Sequence, residues 1–136
     1  MEHGREAAGL EKEEDWDWFL RANDAMYDTV ARAHRMGVKV AAASDAAMPL
    51  VCHGENAYEL ELLVRAGMTP MEAIVAATKV GSEVLDMADQ IGTIEEGKLA
   101  DLLVVQGDPL ADITILQETK RIKKVIKGGE IVVERP

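Results

Sequence analysis

Hydrophobic and polar positions along this chain follow three patterns in turn. From Glu13 to Met36 the apolar side chains Trp16, Phe19, Leu20, Tyr27, Val30 and Ala31 recur at three- and four-residue steps. That spacing gathers them on one face of a helix. Gly37 follows, where a left-handed helix cap is wanted. Next comes Val38-Lys39-Val40-Ala41-Ala42-Ala43, apolar apart from one lysine, ending in Ser44 and Asp45. A run of this kind predicts a strand buried on both faces. A loop broken by Pro49 and Gly54 leads to a second helix over residues 55–66, closed by Gly67. Thr69-Pro70-Met71-Glu72 then has the form of a capping box with proline at the first helical position. It predicts a third helix from Pro70 to Lys79, and a short fourth follows over Ser82–Met87.

The pattern changes at Ile91. Residues 91–94, 102–105, 122–126 and 130–133 are short β-rich runs. Turn chemistry separates them at Glu96-Gly97, Gly107-Asp108-Pro109 and Gly128-Gly129. The Gly128-Gly129 pair predicts a tight hairpin. The chain therefore divides into a flexible, aperiodic start (1–12), a helical part with one strand (13–90) and a β part (91–136). A lone parallel strand lacks neighbours, and four short strands make a marginal sheet with unpaired edges. Both parts read as pieces of larger assemblies.

Composition narrows the partners. Apolar residues make up 48% of the 136, enough for a core, while aromatics at 4% leave that core aliphatic and Met-rich. Met26, Met36, Met68, Met71 and Met87 are expected as its filler. The formal charge of -10 argues against nucleic acid, which selects a basic surface. No run approaches a membrane span, and the start of the chain has no signal-peptide core. Cys52 is the single cysteine, which suits a reducing compartment. A cytoplasmic protein is expected, with no nucleic-acid or membrane partner.

Candidate chemistry is sparse. Parallel strands in α/β folds carry reactive groups at their carboxyl ends, and Asp45 stands there. On the residues alone it is equally a cap after a strand. His53, beside Cys52, reads first as a loop histidine bonded to backbone. Contact with substrate is a better second role for it than metal binding, since adjacent residues rarely reach one ion together. His34, in the last turn of the first helix, suits the helix dipole, and His3 lies in the aperiodic start. Asp101 and Asp108 are expected to bond local backbone. Lys98, Lys120, Arg121, Lys123, Lys124 and Lys127 read as a solvated strand face.

Several stretches, taken in order, carry a resemblance. They are residues 37–45, His53-Gly54-Glu55-Asn56-Ala57 with Glu59-Leu60, residues 66–74 and 76–78, residues 91–105, Gly107-Asp108-Pro109-Leu110 and residues 125–129. Together the chain closely resembles the amidohydrolase superfamily, with prolidase-like and imidazolonepropionase-related enzymes as the nearest branch. The resemblance implies an α/β fold: the last strand and helices of a metal-dependent (β/α) barrel, then the C-terminal strands of a small β-sandwich. Asp45 matches the aspartate that ends the last barrel strand. By resemblance it binds a divalent metal, zinc by expectation, and takes a proton from the attacking hydroxide, which suits metal-assisted hydrolysis.

The departures are equally informative. A barrel needs about 250 residues. The family's His-x-His pair, its lysine and its two further histidines have no counterparts in this chain. The expectation is therefore the C-terminal portion of a hydrolase of amide or dipeptide-like C–N bonds, inactive alone and holding no metal by itself. Its partner would be a complementary barrel chain. The alternative is a non-catalytic, self-associating remnant that forms a homo-oligomer through its unpaired edges.

Overall fold

The structure is a computed structural model that describes residues 13–44 and 54–136. The expected flexible start and the loop that carries Asp45, Cys52 and His53 lie outside the described residues.

Helix α1 spans Glu13–Arg35. Its end follows from Gly37, whose φ of 77° places it in the left-handed region. The N–H of Gly37 then reaches the His34 carbonyl at 2.9 Å, and that of Val38 reaches Ala33 at 3.0 Å. These paired bonds satisfy two of the carbonyls every helix end leaves open. Helix α2, Ala57–Arg65, ends the same way. Gly67 N–H donates to Val64 and Met68 N–H to Leu63.

Helix α3, Pro70–Val75, opens with the expected capping box. The Thr69 hydroxyl accepts the Glu72 N–H at 3.3 Å, and the Glu72 carboxylate accepts the Thr69 N–H at 2.7 Å. The helix does not stop near Lys79. It passes through a π turn at Ala76–Val80 into a short α4, Gly81–Val84, so the expected fourth helix is the continuation of the third. Gly81 keeps helical φ and ψ there and interrupts nothing.

The core lies where these helices meet. Leu60 and Leu63 of α2, Met68, and Ala73 and Ala76 on the α3 side form one buried cluster with Ile113. Ile113 opens a 3₁₀ turn, Ile113–Gln117, capped by the Asp112 side chain. The cap accepts the Thr114 N–H at 3.0 Å. Val30, Val40 and Ala42 pack on the cluster from α1 and from the segment after it. Met68 is the methionine that fills this core. Met87 is half-buried, and Met26, Met36 and Met71 are exposed.

Three strands form one antiparallel sheet in the order β1–β2–β3: Leu102–Val105, Ile122–Lys127 and Glu130–Glu134. Gly128 and Gly129 both have positive φ, 58° and 87°, the requirement of the hairpin turn that joins β2 to β3. Lys127 pairs with Glu130 across it.

Two expected strands are absent among the described residues. Residues 38–44 run without a strand ladder. A strand exists only as a partner of another strand, and the described residues offer none. Residues 91–94 form a bend rather than a strand. Ile91 N–H bonds back to Met87 at 3.0 Å, and Gly92 takes a φ of 94° against Ser82.

Candidate functional site

The segment that leads to Asp45 is described up to Ser44, and the chain returns at Gly54. Asp45 and His53 themselves lie outside the described residues, so their geometry is not part of the site. What can be built is the support from which Asp45 departs. The segment leaves the Gly37 turn and crosses the helix that begins at Pro70. Two contacts tie it there. Lys39 Nζ meets Glu83 Oε2 at 2.6 Å, and the Ala42 N–H donates to the Ala76 carbonyl at 3.2 Å. Val40 and Ala42 face the core cluster. The hydrogen bond from Lys39 holds the Glu83 carboxyl below its ordinary range.

Between the end of α1, this segment and α3 lies an open cleft of about 370 Å³. Val38, Val40, Met68, Val75 and Val80 give it apolar walls, and His34 and Glu72 stand at its polar side. His34 Nε2 approaches Glu72 Oε1 at 3.5 Å. The Glu72 carboxyl sits below its usual range, first because the Thr69 N–H and hydroxyl bond it, and then because His34 lies beside it. His34 thus stands in the basic last turn of α1, as the dipole argument expects, and also bridges to α3. Burial pushes Glu59, in the first turn of α2, upward.

The remaining candidates have structural partners. Asp108 Oδ1 accepts the Leu110 N–H at 2.9 Å, a local turn. Asp101 Oδ1 accepts the Gly128 N–H at 2.7 Å and so braces the β2–β3 turn from a distance. The basic residues near the C-terminus are not an unopposed patch. Lys98 meets Glu95, Lys120 and Arg121 meet Glu118, and Lys124 meets Glu134 across the sheet.

Among the described residues no group of three or more His, Cys, Asp or Glu side chains is placed to hold a metal ion. The described residues alone therefore do not make a site for the divalent ion that the family resemblance implies. No helix among them is long and apolar enough to cross a membrane.

The sequence that forms these elements matches a known family. The Amidohydrolase family aligns with residues 21–132, and the chain belongs to that family. Ochratoxinase from Aspergillus niger is 37% identical over 125 residues, covering 90% of this chain and 25% of its own length. Imidazolonepropionase from Thermoplasma volcanium is 33% identical over 100 residues, 73% of this chain and 24% of its own. Among solved structures, a Xaa-Pro dipeptidase with bound methionine in the active site superposes with a TM-score of 0.72 at 40% identity, over 79% of this chain and 25% of that one. The A. niger ochratoxinase structure gives 0.78 at 34% identity, over 93% and 28%. The chain spans about a quarter of the length of the relatives it matches.

Proposed function

We propose that this chain is the C-terminal portion of a metal-dependent amidohydrolase that cleaves C–N bonds of amides or dipeptide-like substrates, and that it works only with a complementary barrel chain. The observation that carries the reading is the segment 38–44. It has strand composition, no strand neighbour among the described residues, and leads to Asp45 in a protein whose family match spans residues 21–132. In this reading the segment is the last strand of a (β/α) barrel, and β1–β3 are part of a β-sandwich. The similarity to a Xaa-Pro dipeptidase and to a putative prolidase from Bifidobacterium longum favours a dipeptide-like substrate.

Asp45 is the residue assigned to chemistry. It serves as one ligand of a divalent ion, zinc by preference, and as the carboxylate that accepts a proton from the attacking water. His53 is assigned to substrate contact. The remaining metal ligands come from the complementary chain.

The test is reconstitution. The chain is mixed with the first three quarters of a prolidase relative and zinc, and dipeptide hydrolysis is measured. Activity is expected only in the mixture. Asp45→Asn should lower kcat by about a thousandfold, in the range of a lost catalytic acid–base group, and His53→Ala should act on KM. Full activity of the Asp45→Asn mixture would sink the assignment, and equal activity of the chain alone would sink the need for a partner.

A second reading has its own support. The segment 38–44 has no strand neighbour among the described residues, and the sheet exposes Leu103, Val104, Ile131 and Val132. Such edges and faces favour a self-associating, non-catalytic module that forms a homo-oligomer. A mixture that stays inactive while the chain sediments as a stable oligomer would select it.

A further inference from the structure

The helix that begins at Pro70 changes its period at Ala76. Ala76–Val80 form a π turn between α3 and α4. A π turn closes i→i+5 rings, so it takes one residue more than the α turn it replaces. One residue of the turn perturbs the helix locally: the Thr78 hydroxyl donates to the Ile74 carbonyl at 2.8 Å, a back-bond that bends helices slightly. Ala-Ala-Thr-Lys-Val contains neither proline nor glycine, and alanine and lysine favour the regular helix. A back-bond of this kind is common in regular helices, and a contact from outside the helix also falls on the turn.

The structure shows a candidate at the turn's first residue. The Ala76 carbonyl accepts the Ala42 N–H of the segment 38–44 at 3.2 Å. Ala76 is 1% exposed and lies in the same core cluster against which Ala42 packs. A carbonyl in an unbroken α helix points along the axis at its own ladder donor. The wider turn disturbs that ladder where a neighbouring backbone arrives.

We infer that the π turn is a latch. It presents a helix carbonyl to the segment 38–44 in place of the carbonyl of an adjacent strand. The Gly37 turn fixes the segment's start through Val38 N–H and Ala33, Lys39 and Glu83 hold its middle, and the latch holds its far end at Ala42. The segment is therefore held in place before any strand lies beside it, and its order is coupled to the local register of the helix. This inference does not depend on the hydrolytic reading, and its test uses no activity.

Amide exchange by NMR on the full chain provides the measurement. The Ala42 amide should exchange at least about tenfold more slowly than its unstructured rate, as one stable hydrogen bond provides. Deleting Ala77, which is exposed, removes the extra residue and allows an unbroken α ladder. Ala42 should then exchange within about twofold of the unstructured rate, while the Ala73 amide, bonded to Thr69, stays protected and reports an intact helix. A second variant covers the case in which the deletion unfolds the chain. Replacing the residue 42 amide by a backbone ester removes only the donor and should move the Ala76 carbonyl carbon shift. Unprotected Ala42 in the intact chain, protection that survives the deletion, or an Ala76 shift unchanged by the ester would each overturn the latch.

Discussion

At the scale of single residues, the Thr69–Glu72 box was fully legible, because its donors and acceptors lie three positions apart and nothing distant can rearrange them. It also ties into the cleft, since the Glu72 carboxylate that caps α3 is the one facing His34. Thr69→Ala should cost about 1 kcal/mol, read as a shift in urea midpoint at unchanged slope. Acid should act through the same group. The Glu72 carboxyl is held below its ordinary 4.5 in the folded chain. A group whose pKa is lowered by folding contributes stability above its unfolded value, and that contribution is lost as pH falls through the folded one. Stability should therefore drop on acidification below about 4.5, with Glu83, Glu95, Asp112 and Glu118 shifted in the same direction. The Glu72→Gln chain should show a shallower drop in pH-dependent urea unfolding, and an unchanged profile would deny Glu72 its share. Gly92 makes a sharper case. A Cβ there would stand 2.3 Å from Ser82 Oγ and 3.0 Å from the Thr78 carbonyl, on a backbone already at a φ of 94°. Gly92→Ala should destabilise by about 2 kcal/mol or more. Adding Ser82→Gly should recover only part of that, since it removes the Ser82 side chain but leaves the Thr78 carbonyl contact and the backbone strain.

At the scale of elements, what could be read depended on whether each element finds its partner within the chain. The helices, their two glycine-turn endings and the Gly128-Gly129 hairpin are specified by residues a few positions apart, and all of them form. The segment 38–44 has strand composition and no strand. Its ladder bonds must come from a neighbour, and composition says nothing about whether a neighbour is present. The π turn was invisible for the complementary reason. No proline or glycine in Ala76–Val80 marks it, the Thr78 back-bond to Ile74 occurs in regular helices too, and the contact at its start comes from Ala42, far away in sequence. The two ties on the candidate site, Lys39 with Glu83 and His34 with Glu72, were missed in the same way, because each joins groups that only the fold brings together. The 3₁₀ turn at Ile113 shows how strongly such long-range packing matters. Ile113 sits with Leu60, Leu63 and Ala73 in the buried cluster, and Gln117 bonds Glu61 of α2 at 2.7 Å. Leu63, 3% exposed, lies in this junction. Leu63→Ala should cost about 2–5 kcal/mol and should loosen α2 and the Ile113 turn together, seen as joint loss of amide protection in both. Loss confined to α2 would show that the Ile113 turn is held from elsewhere.

At the scale of the whole molecule, the same surfaces serve both readings of function, so the two compete for them. The described chain has few large side chains deep in its interior. Its exposed apolar residues include Val38 on the segment, Leu103 and Val104 on β1, and Ile131 and Val132 on β3. Opposing their burial between two copies is the formal charge of -10 on each. Like charges on approaching protomers repel, and salt screens that repulsion over a Debye length of about 10 Å at 0.1 M, shortening to about 3 Å at 1 M. Self-association should therefore strengthen as salt is raised, because apolar burial is not weakened by screening while repulsion is. Sedimentation across a salt series measures this directly. Ile131→Lys, which places a charge on the exposed side of β3, should weaken the association at every salt concentration. A complementary barrel chain changes the balance by mass action. In the proposed reading it pairs with residues 38–44, so adding it should dissolve any homo-oligomer and raise the unfolding temperature as its concentration rises. A homo-oligomer that persists in excess complementary chain, with no gain in stability, would mean that the two partners use different surfaces, and the competition would be wrong.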